Sequence, residues 1–341
     1  MVKNELSFSK EKEMDIVLIG RVAVDLNSNE IHVPMEETKT FTKYVGGSPA
    51  NIAIGMARLG NKVGFIGRVS DDQFGRFVTT YFKNENIDTS NIVIDDNGAK
   101  TGLTFTEIKS PTESSILMYR EGVADLEISP EDVSEEYVKN AKILLISGTA
   151  LSKSPSREAC FVAMEYAIKH DVKIIFDIDY RPYSWQSEKE IGVYYSLAAQ
   201  MSHIIIGSKE EFALCEMFMA NENETDEDTA NRWFGYKAEV VVIKHGGDGS
   251  IGYVNNGDKY KVSIFPVELL KSFGGGDAYA SAFIHSLMKG KDIGESLEYG
   301  SASAAMLVSS HSCSDAMPVV EALEEFTNEA KEKYGSMIEK L

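Results

Sequence analysis

The sequence predicts an α/β protein with a doubly wound, mostly parallel sheet, helices on both faces and a small antiparallel β-lid. Three observations predict it. Six runs of consecutive apolar residues recur along the chain: "DIVLIG", "NKVGFIG", "AKILLIS", "VKIIFDI", "SHIIIGS" and "EVVVIK". Such runs, separated by helical patterns, are what strands buried on both faces of a parallel sheet require. The stretches between them carry signposted helix starts. Two further stretches, 29 to 45 ("NEIHVPMEETKTFTKYV") and 101 to 120 ("TGLTFTEIKSPTESSILMYR"), alternate apolar with polar residues instead. That period suits strands solvated on one face, and a lid serves chemistry that must exclude water.

The elements follow in order. The first strand opens at Asp15. In "SPANIAIGMARLG" Ser48 is the expected N-cap, Pro49 the first helical residue and Gly60 the terminator. The lid strands carry turn residues at Pro34, Ser110 and Pro111, and "SPED" (129 to 132) repeats the Ser-Pro helix start. Four more strand runs lead to a small-residue helix after position 276. From Pro318 to the end the pattern reads as one amphipathic helix packed outside the sheet. With no internal repeat, low-complexity tract or linker, residues 1–341 read as a single domain.

A net charge of −19 excludes most nucleic-acid partners, because phosphate backbones are bound by neutralising them with Lys and Arg. No apolar run approaches the roughly 20 residues that a bilayer crossing needs. "IVLIG" is too short for the apolar region of a signal peptide, so the expected location is the cytoplasm and no membrane partner is expected. Cys160, Cys215 and Cys313 lie far apart and form no disulfide or metal pattern.

The chemistry concentrates in "SFGGGDAYASAFIHSL". Gly274, Gly275 and Gly276 enter a helix, so bare backbone amides and the positive helix end converge into an anion cradle. Asp277, in the first turn, could receive a proton from an attacking hydroxyl, or could simply complement the helix dipole. The cradle is not a P-loop, because no Gly-Lys-Ser/Thr follows, and Gly20 after the first strand is isolated, so no dinucleotide fingerprint is present. A second glycine pair, Gly46 and Gly47, precedes the helix carrying Asn51, where backbone donors and an amide could meet a polar ligand.

These two motifs resemble signatures of one family. "GGSPANIAIGMARLG" looks like the amino-terminal signature of the ribokinase-like (PfkB) carbohydrate kinases, and "FGGGDAY" like their carboxy-terminal "TGAGDAF". The resemblance covers essentially the whole chain and implies a nine-stranded or similar α/β core with a β-lid, ATP as phosphoryl donor, Mg2+, and a sugar hydroxyl as acceptor. It implies Asp277 as catalytic base and the amides of Gly274, Gly275 and Gly276 as anion hole. Asp25 in "GRVAVDL", Gly46, Gly47 and Asn51 match sugar-binding positions. "KHGGDGS" (244 to 250) resembles the nucleotide-contacting turn, which brings in Lys244, Gly246 and Gly249.

In "SKEE" (208 to 211) Ser208 stands where the family has Asn, and Glu211 matches the residue that holds magnesium through water; a helix capping box explains both equally well. Lys271, Ser272 and Phe273 replace the family's Asp-Thr-Thr, so the neighbouring monovalent-cation loop does not carry over directly. "MYREG" and "FDIDYRPYSW" resemble kinases of keto-deoxy sugar acids, where Tyr-Arg and Asp-x-Asn-x-Arg recur, with Asp179 here in place of Asn. They imply Arg120 and Arg181 as bidentate partners of an acid's carboxylate. "LLKSFGGGDAYASAF" and "SHSCSDAMP" (310 to 318) resemble the inositol-catabolism branch of the family. Kinases of keto-deoxygluconate, fructose or nucleosides remain open, as does a sugar- or nucleotide-binding regulator on the same fold. Lid strands of the family can pair between subunits, so a homodimer is expected.

Overall fold

The computed structural model describes residues 6–341. In β1 (Met14–Ile19), Ile16 and Leu18 enter one hydrophobic cluster while Val17 and Ile19 enter another on the opposite face. A strand covered on both faces belongs in the sheet interior. There β1 lies, parallel to β4 (Val63–Ser70) on one side and β8 (Ala141–Ser147) on the other. Beyond β4, β5 (Asp88–Asp95) forms the edge. Beyond β8 come β9 (Lys173–Asp177), β10 (Ile204–Ser208) and β11 (Val240–Lys244), all parallel. An antiparallel extension, β12 (Ser250–Val254), β13 (Lys259–Val262) and β14 (Ile338–Lys340), completes a sheet of ten strands.

A second sheet holds β2 (Ala23–Ser28), β3 (Phe41–Gly46), β6 (Gly102–Ser110) and β7 (Glu113–Tyr119) in the order β3-β2-β6-β7. Its outer pairs are antiparallel, but the central β2–β6 pair is parallel. The strand expected over 29–45 is confined to its last residues. Before Phe41 the chain makes a turn and a short 3-10 helix, Met35–Glu37, whose N-cap is Pro34. The partner strand is β2, which directly follows β1 in sequence but leaves the main sheet.

Three helix details also differ from expectation. Gly47, with φ 103°, is the cap of helix Ser48–Arg58, so Ser48 lies within the first turn and its hydroxyl is free for another task. The last helix, Val320–Tyr334, stops at Gly335, after which the chain returns to the sheet as β14. "SPED" forms only a 3-10 turn, capped reciprocally by Ser129 and Asp132.

The register positions the site. Ser147 pairs with Asp177, Asp177 with Ile206, and Ser208 with Lys244, so these carboxyl ends share one edge. Ligands of open α/β sheets gather at that edge. Among the described residues, no helix is long and apolar enough to cross a membrane.

Candidate active site

Helix Gly275–Met288 begins at this edge, capped by Gly274 in the left-handed region at φ 84°. The residue's freedom is needed there, and so is its bareness: a Cβ on Gly274 would stand 2.5 Å from the Cys313 Sγ. Two cavities adjoin the helix start, of about 560 and 440 Å³. Gly275, Gly276, Ser272 and Lys244 line both, so the glycine cradle forms the waist between them.

The larger cavity lies under the small sheet and takes in Asp25, Gly47, Asn51, Arg181, Ser208, Glu211, Gly274 and Asp277. Asn51 Nδ2 donates to Asp277 Oδ2 at 2.8 Å, which joins the two sequence motifs across 226 positions. Gly46 does not line the cavity. A Cβ there would fall 2.0 Å from Asp25 Oδ1, so its bareness makes room for the Asp25 carboxylate. Asp25 Oδ1 is buried without a hydrogen-bond partner. The smaller cavity is lined by Gly246, Gly249, Phe265, Val267 and Tyr279, an apolar slot reached past Lys244.

The electrostatics of the waist follow from four buried or half-buried carboxylates facing two cations. Burial pushes the Asp277 carboxyl up to about 6, helped by the charge of Asp179 and restrained by the Asn51 hydrogen bond, Arg181 and Ser48. Asp177, to which Ser48 Oγ donates at 3.2 Å, rises to about 8 through burial; Lys244 opposes the rise, while Asp179, Glu211 and Asp277 add to it. The two interact, so they titrate as a pair. Burial lowers Lys244, but the charges of Asp177, Glu211, Asp179 and Asp277 outweigh it and carry the ammonium above its ordinary value. A Cβ on Gly276 would lie 3.4 Å from Lys244 Nζ, so this ammonium stands directly over the cradle.

The arginines part company. Arg181 lines the larger cavity, its Nη2 2.8 Å from Asp179 Oδ1 and its Nη1 donating to the Tyr180 carbonyl, with 36% of its side chain exposed. Arg120 does not reach the cavity. It is buried behind the small sheet, and Nη1 donates to both Asp125 oxygens, at 2.8 and 2.6 Å. An acid five residues on, carried by the 3-10 turn Ala124–Glu127, has taken the bidentate partner's place. Glu211 is also occupied: Oε2 accepts from the Ser208 amide at 2.7 Å and Oε1 from the Tyr180 amide at 2.8 Å, while Ser208 Oγ accepts from the Glu211 amide. The capping box is therefore formed, beside the cavity.

The structure adds residues that the sequence reading passed over. Arg21, 6% exposed, lines the larger cavity and donates to Thr104 Oγ1 at 2.8 Å. Asp177 lies inside the quoted "FDIDYR" at the last residue of β9, and Asp179 follows beyond the strand with φ 36°; both line the larger cavity.

A cradle of amides, an acid hydrogen-bonded beside it and two cavities meeting there suit transfer of an anionic group between two ligands. The family model for pfkB family carbohydrate kinases matches residues 13–320, and the chain belongs to that family. Over 335 residues the chain is 61% identical to the 5-dehydro-2-deoxygluconokinase of Clostridium tetani, covering 98% of this chain and 99% of that one. The Geobacillus thermodenitrificans protein of the same name is 58% identical, covering 96% and 97%. Among solved structures, the fructokinase with bound ATP from Xylella fastidiosa superposes with a TM-score of 0.80 at 22% identity, over 92% of this chain and 98% of that one. At that identity the likeness carries the ribokinase-like fold.

Proposed function

We propose that the chain transfers the γ-phosphoryl group of ATP to the 6-hydroxyl of 5-dehydro-2-deoxy-D-gluconate, a sugar acid of inositol catabolism, as one kinase domain with the four-stranded sheet as its lid. The observation that carries this reading is the Asn51–Asp277 hydrogen bond at the waist where both cavities meet the glycine cradle. The acceptor assignment rests on the name of the relatives at about 60% identity.

In this reading the sugar acid lies in the larger cavity. Asp25, Asn51 and the Gly47 backbone hold its hydroxyls, and Arg181 meets its carboxylate. ATP lies in the smaller cavity, its base side in the apolar slot past Gly246 and Gly249 and its phosphates under Lys244. The amides of Gly274, Gly275 and Gly276 receive the charge of the migrating group, which is most of what phosphoryl transfer asks of a protein. Asp277 accepts the proton of the 6-hydroxyl as the new bond forms. Because its carboxyl stands at about 6, it is mostly ionised at neutral pH and ready for that role.

Mg2+ supplies charge neutralisation on the phosphates when bound. Glu211 and Asp177, which line the larger cavity, are the carboxylates that would hold the ion, Glu211 through water. The lid's β7 exposes Leu117 and Tyr119, which supports pairing of two copies through this sheet; sedimentation at increasing concentration tests that part.

An acceptor panel read by ADP release tests the whole. It should give the highest kcat/KM on 5-dehydro-2-deoxygluconate, less on 2-keto-3-deoxygluconate, and least on fructose and nucleosides. A preference for a neutral sugar overturns the acceptor; tight ligand binding with no turnover on any acceptor makes the chain a regulator.

A further inference from the structure

Lys271 is fully buried, among the largest side chains in the protein with no exposure. Among the described residues no carboxylate forms an ion pair with it, although Asp25 and Asp277 lie near enough to act on it through their charge. Its Nζ donates to the Ser312 carbonyl at 2.6 Å, and reaches Cys313 Sγ at 3.4 Å and the His311 carbonyl at 3.5 Å. An ammonium meets all three with its three N–H groups; burial pulls the lysine below its ordinary value, and Cys313 and the charges of Asp25 and Asp277 oppose that pull. A buried charge without a charged partner is costly unless dipoles surround it, and here main-chain carbonyls do.

The residue sits at a junction. Its own amide and that of Leu270 donate to the Val308 carbonyl, and three residues later Gly274 packs on Cys313. The strap that leads into the glycine cradle is thus clamped to the 308–313 segment by main chain, ammonium and contact. The same segment holds the small sheet: the His311 carbonyl accepts from Asn27 Nδ2 at 3.0 Å, and the His311 ring bonds the Ser28 carbonyl and Tyr44 hydroxyl.

We propose that the Lys271 ammonium is a tethered monovalent cation: it fills a niche of main-chain carbonyls beside the cradle, positions the cradle amides for the anion they receive, and frees the enzyme from any need for a dissolved cation. Lys271 borders the smaller cavity, but its Nζ is engaged by the His311 and Ser312 carbonyls and by Cys313 Sγ, so its role here is that of a positioning residue. The inference rests on the kinase reading above.

Three measurements test it. Replacing potassium, sodium and ammonium by choline at constant ionic strength should leave wild-type turnover within about twofold. Lys271→Ala opens the niche, and kcat should fall roughly tenfold to a hundredfold, more than KM for ATP changes, as expected when a catalytic group is misplaced. Ammonium or potassium at about 0.1 M should restore a good part of that loss and choline none, whereas Lys271→Met, whose side chain fills the niche without charge, should respond to neither. Thermal melting gives the same comparison without turnover: the alanine variant should gain stability from ammonium over choline, and the wild type should not. This arm still reads if the acceptor assignment fails, which would show instead as a wild type inactive on 5-dehydro-2-deoxygluconate. Strong activation of the wild type by potassium overturns the proposal, as does a folded alanine variant whose loss is equal in all salts. If the alanine variant does not fold, the wild-type cation series decides alone.

Discussion

Replacing Asn51 by alanine should move the acid limb of the pH–rate profile, and by a calculable amount. Asn51 Nδ2 holds Asp277 Oδ2 at 2.8 Å, and this hydrogen bond does the most to keep a carboxyl that burial has raised to about 6 from rising further. A hydrogen bond to a charged group contributes about 1.5–3 kcal/mol, or about one to two pKa units. A water admitted to the space left by the amide would recover part of this, favouring the lower end. The profile of kcat/KM reports the free enzyme, so its acid limb should move from about 6 to roughly 7–8. At pH 7 the ionised fraction would fall from about nine-tenths to between a half and a tenth, a deficit of roughly two- to tenfold beyond any loss of sugar contacts. At pH 9 that part of the deficit should vanish. Asp177, raised to about 8 and interacting with Asp277, moves with it, so the ratio of variant to wild type follows the titration of the pair. Initial rates of ADP release at subsaturating acceptor across pH 5 to 9 measure it. A ratio of variant to wild type that is flat with pH would show that Asn51 acts on the sugar alone and that Asp277 does not titrate as the base.

Four other substitutions have definite outcomes. Asp277→Asn should lower kcat by about 10² to 10⁴ while raising the melting temperature at pH 8. The sign follows from the raised carboxyl: the folded state holds its proton more tightly than the unfolded chain, so stability drops as pH climbs from 3.8 past about 6, and asparagine removes a penalty of order 3 kcal/mol that differential melting at pH 4 and 8 would reveal. Gly274→Ala should destabilise by about 1–3 kcal/mol and depress kcat, whereas Gly246→Ala, also at positive φ but with nothing within 4 Å of its new Cβ, should cost less in denaturant titration. Arg181→Ala should cost roughly a hundredfold in kcat/KM on a sugar acid and little on a neutral sugar, because the lost partner is a charge-assisted fork; equal losses on both would put Arg181 on the nucleotide instead.

How far the fold could be read depended on how many faces of an element are buried. The six apolar runs correspond to β1, β4, β8, β9, β10 and β11, the interior of the parallel sheet, where both faces must be apolar. The strands that escaped are those with one face or one edge in solvent. β13 and β14 mix lysine and glutamate with apolar residues, and β14 was absorbed into the helix before it although Gly335 marks the break. β2 escaped for another reason. "AVDLNS" follows β1 with no turn signal beyond Gly20, and only tertiary pairing, parallel to β6 and antiparallel to β3, shows that the chain has changed sheets.

The site divides along a different line. Residues whose role depends on backbone were legible, because bare glycines beside a first-turn acid have few other uses at that spacing, and Gly274 through Asp277 stand together at the waist. Residues whose role depends on which charge answers theirs were not. Arg120 and Arg181 look alike in sequence, each an arginine after a tyrosine at a strand end. Yet Arg120 is buried with both oxygens of Asp125 on one nitrogen, while Arg181 shares a single oxygen of Asp179 and keeps over a third of its side chain open to the cavity. Lys271 shows the same rule from the other direction. As a letter it is a basic residue near an anion cradle, which invites a phosphate contact; in the fold it borders the smaller cavity, yet its ammonium is bonded to the carbonyl oxygens of His311 and Ser312. A cation's function is set by the acceptor that reaches it first, and for these three residues that acceptor is fixed by how the strap, the small sheet and the 3-10 turn at Ala124 come together rather than by any spacing along the chain.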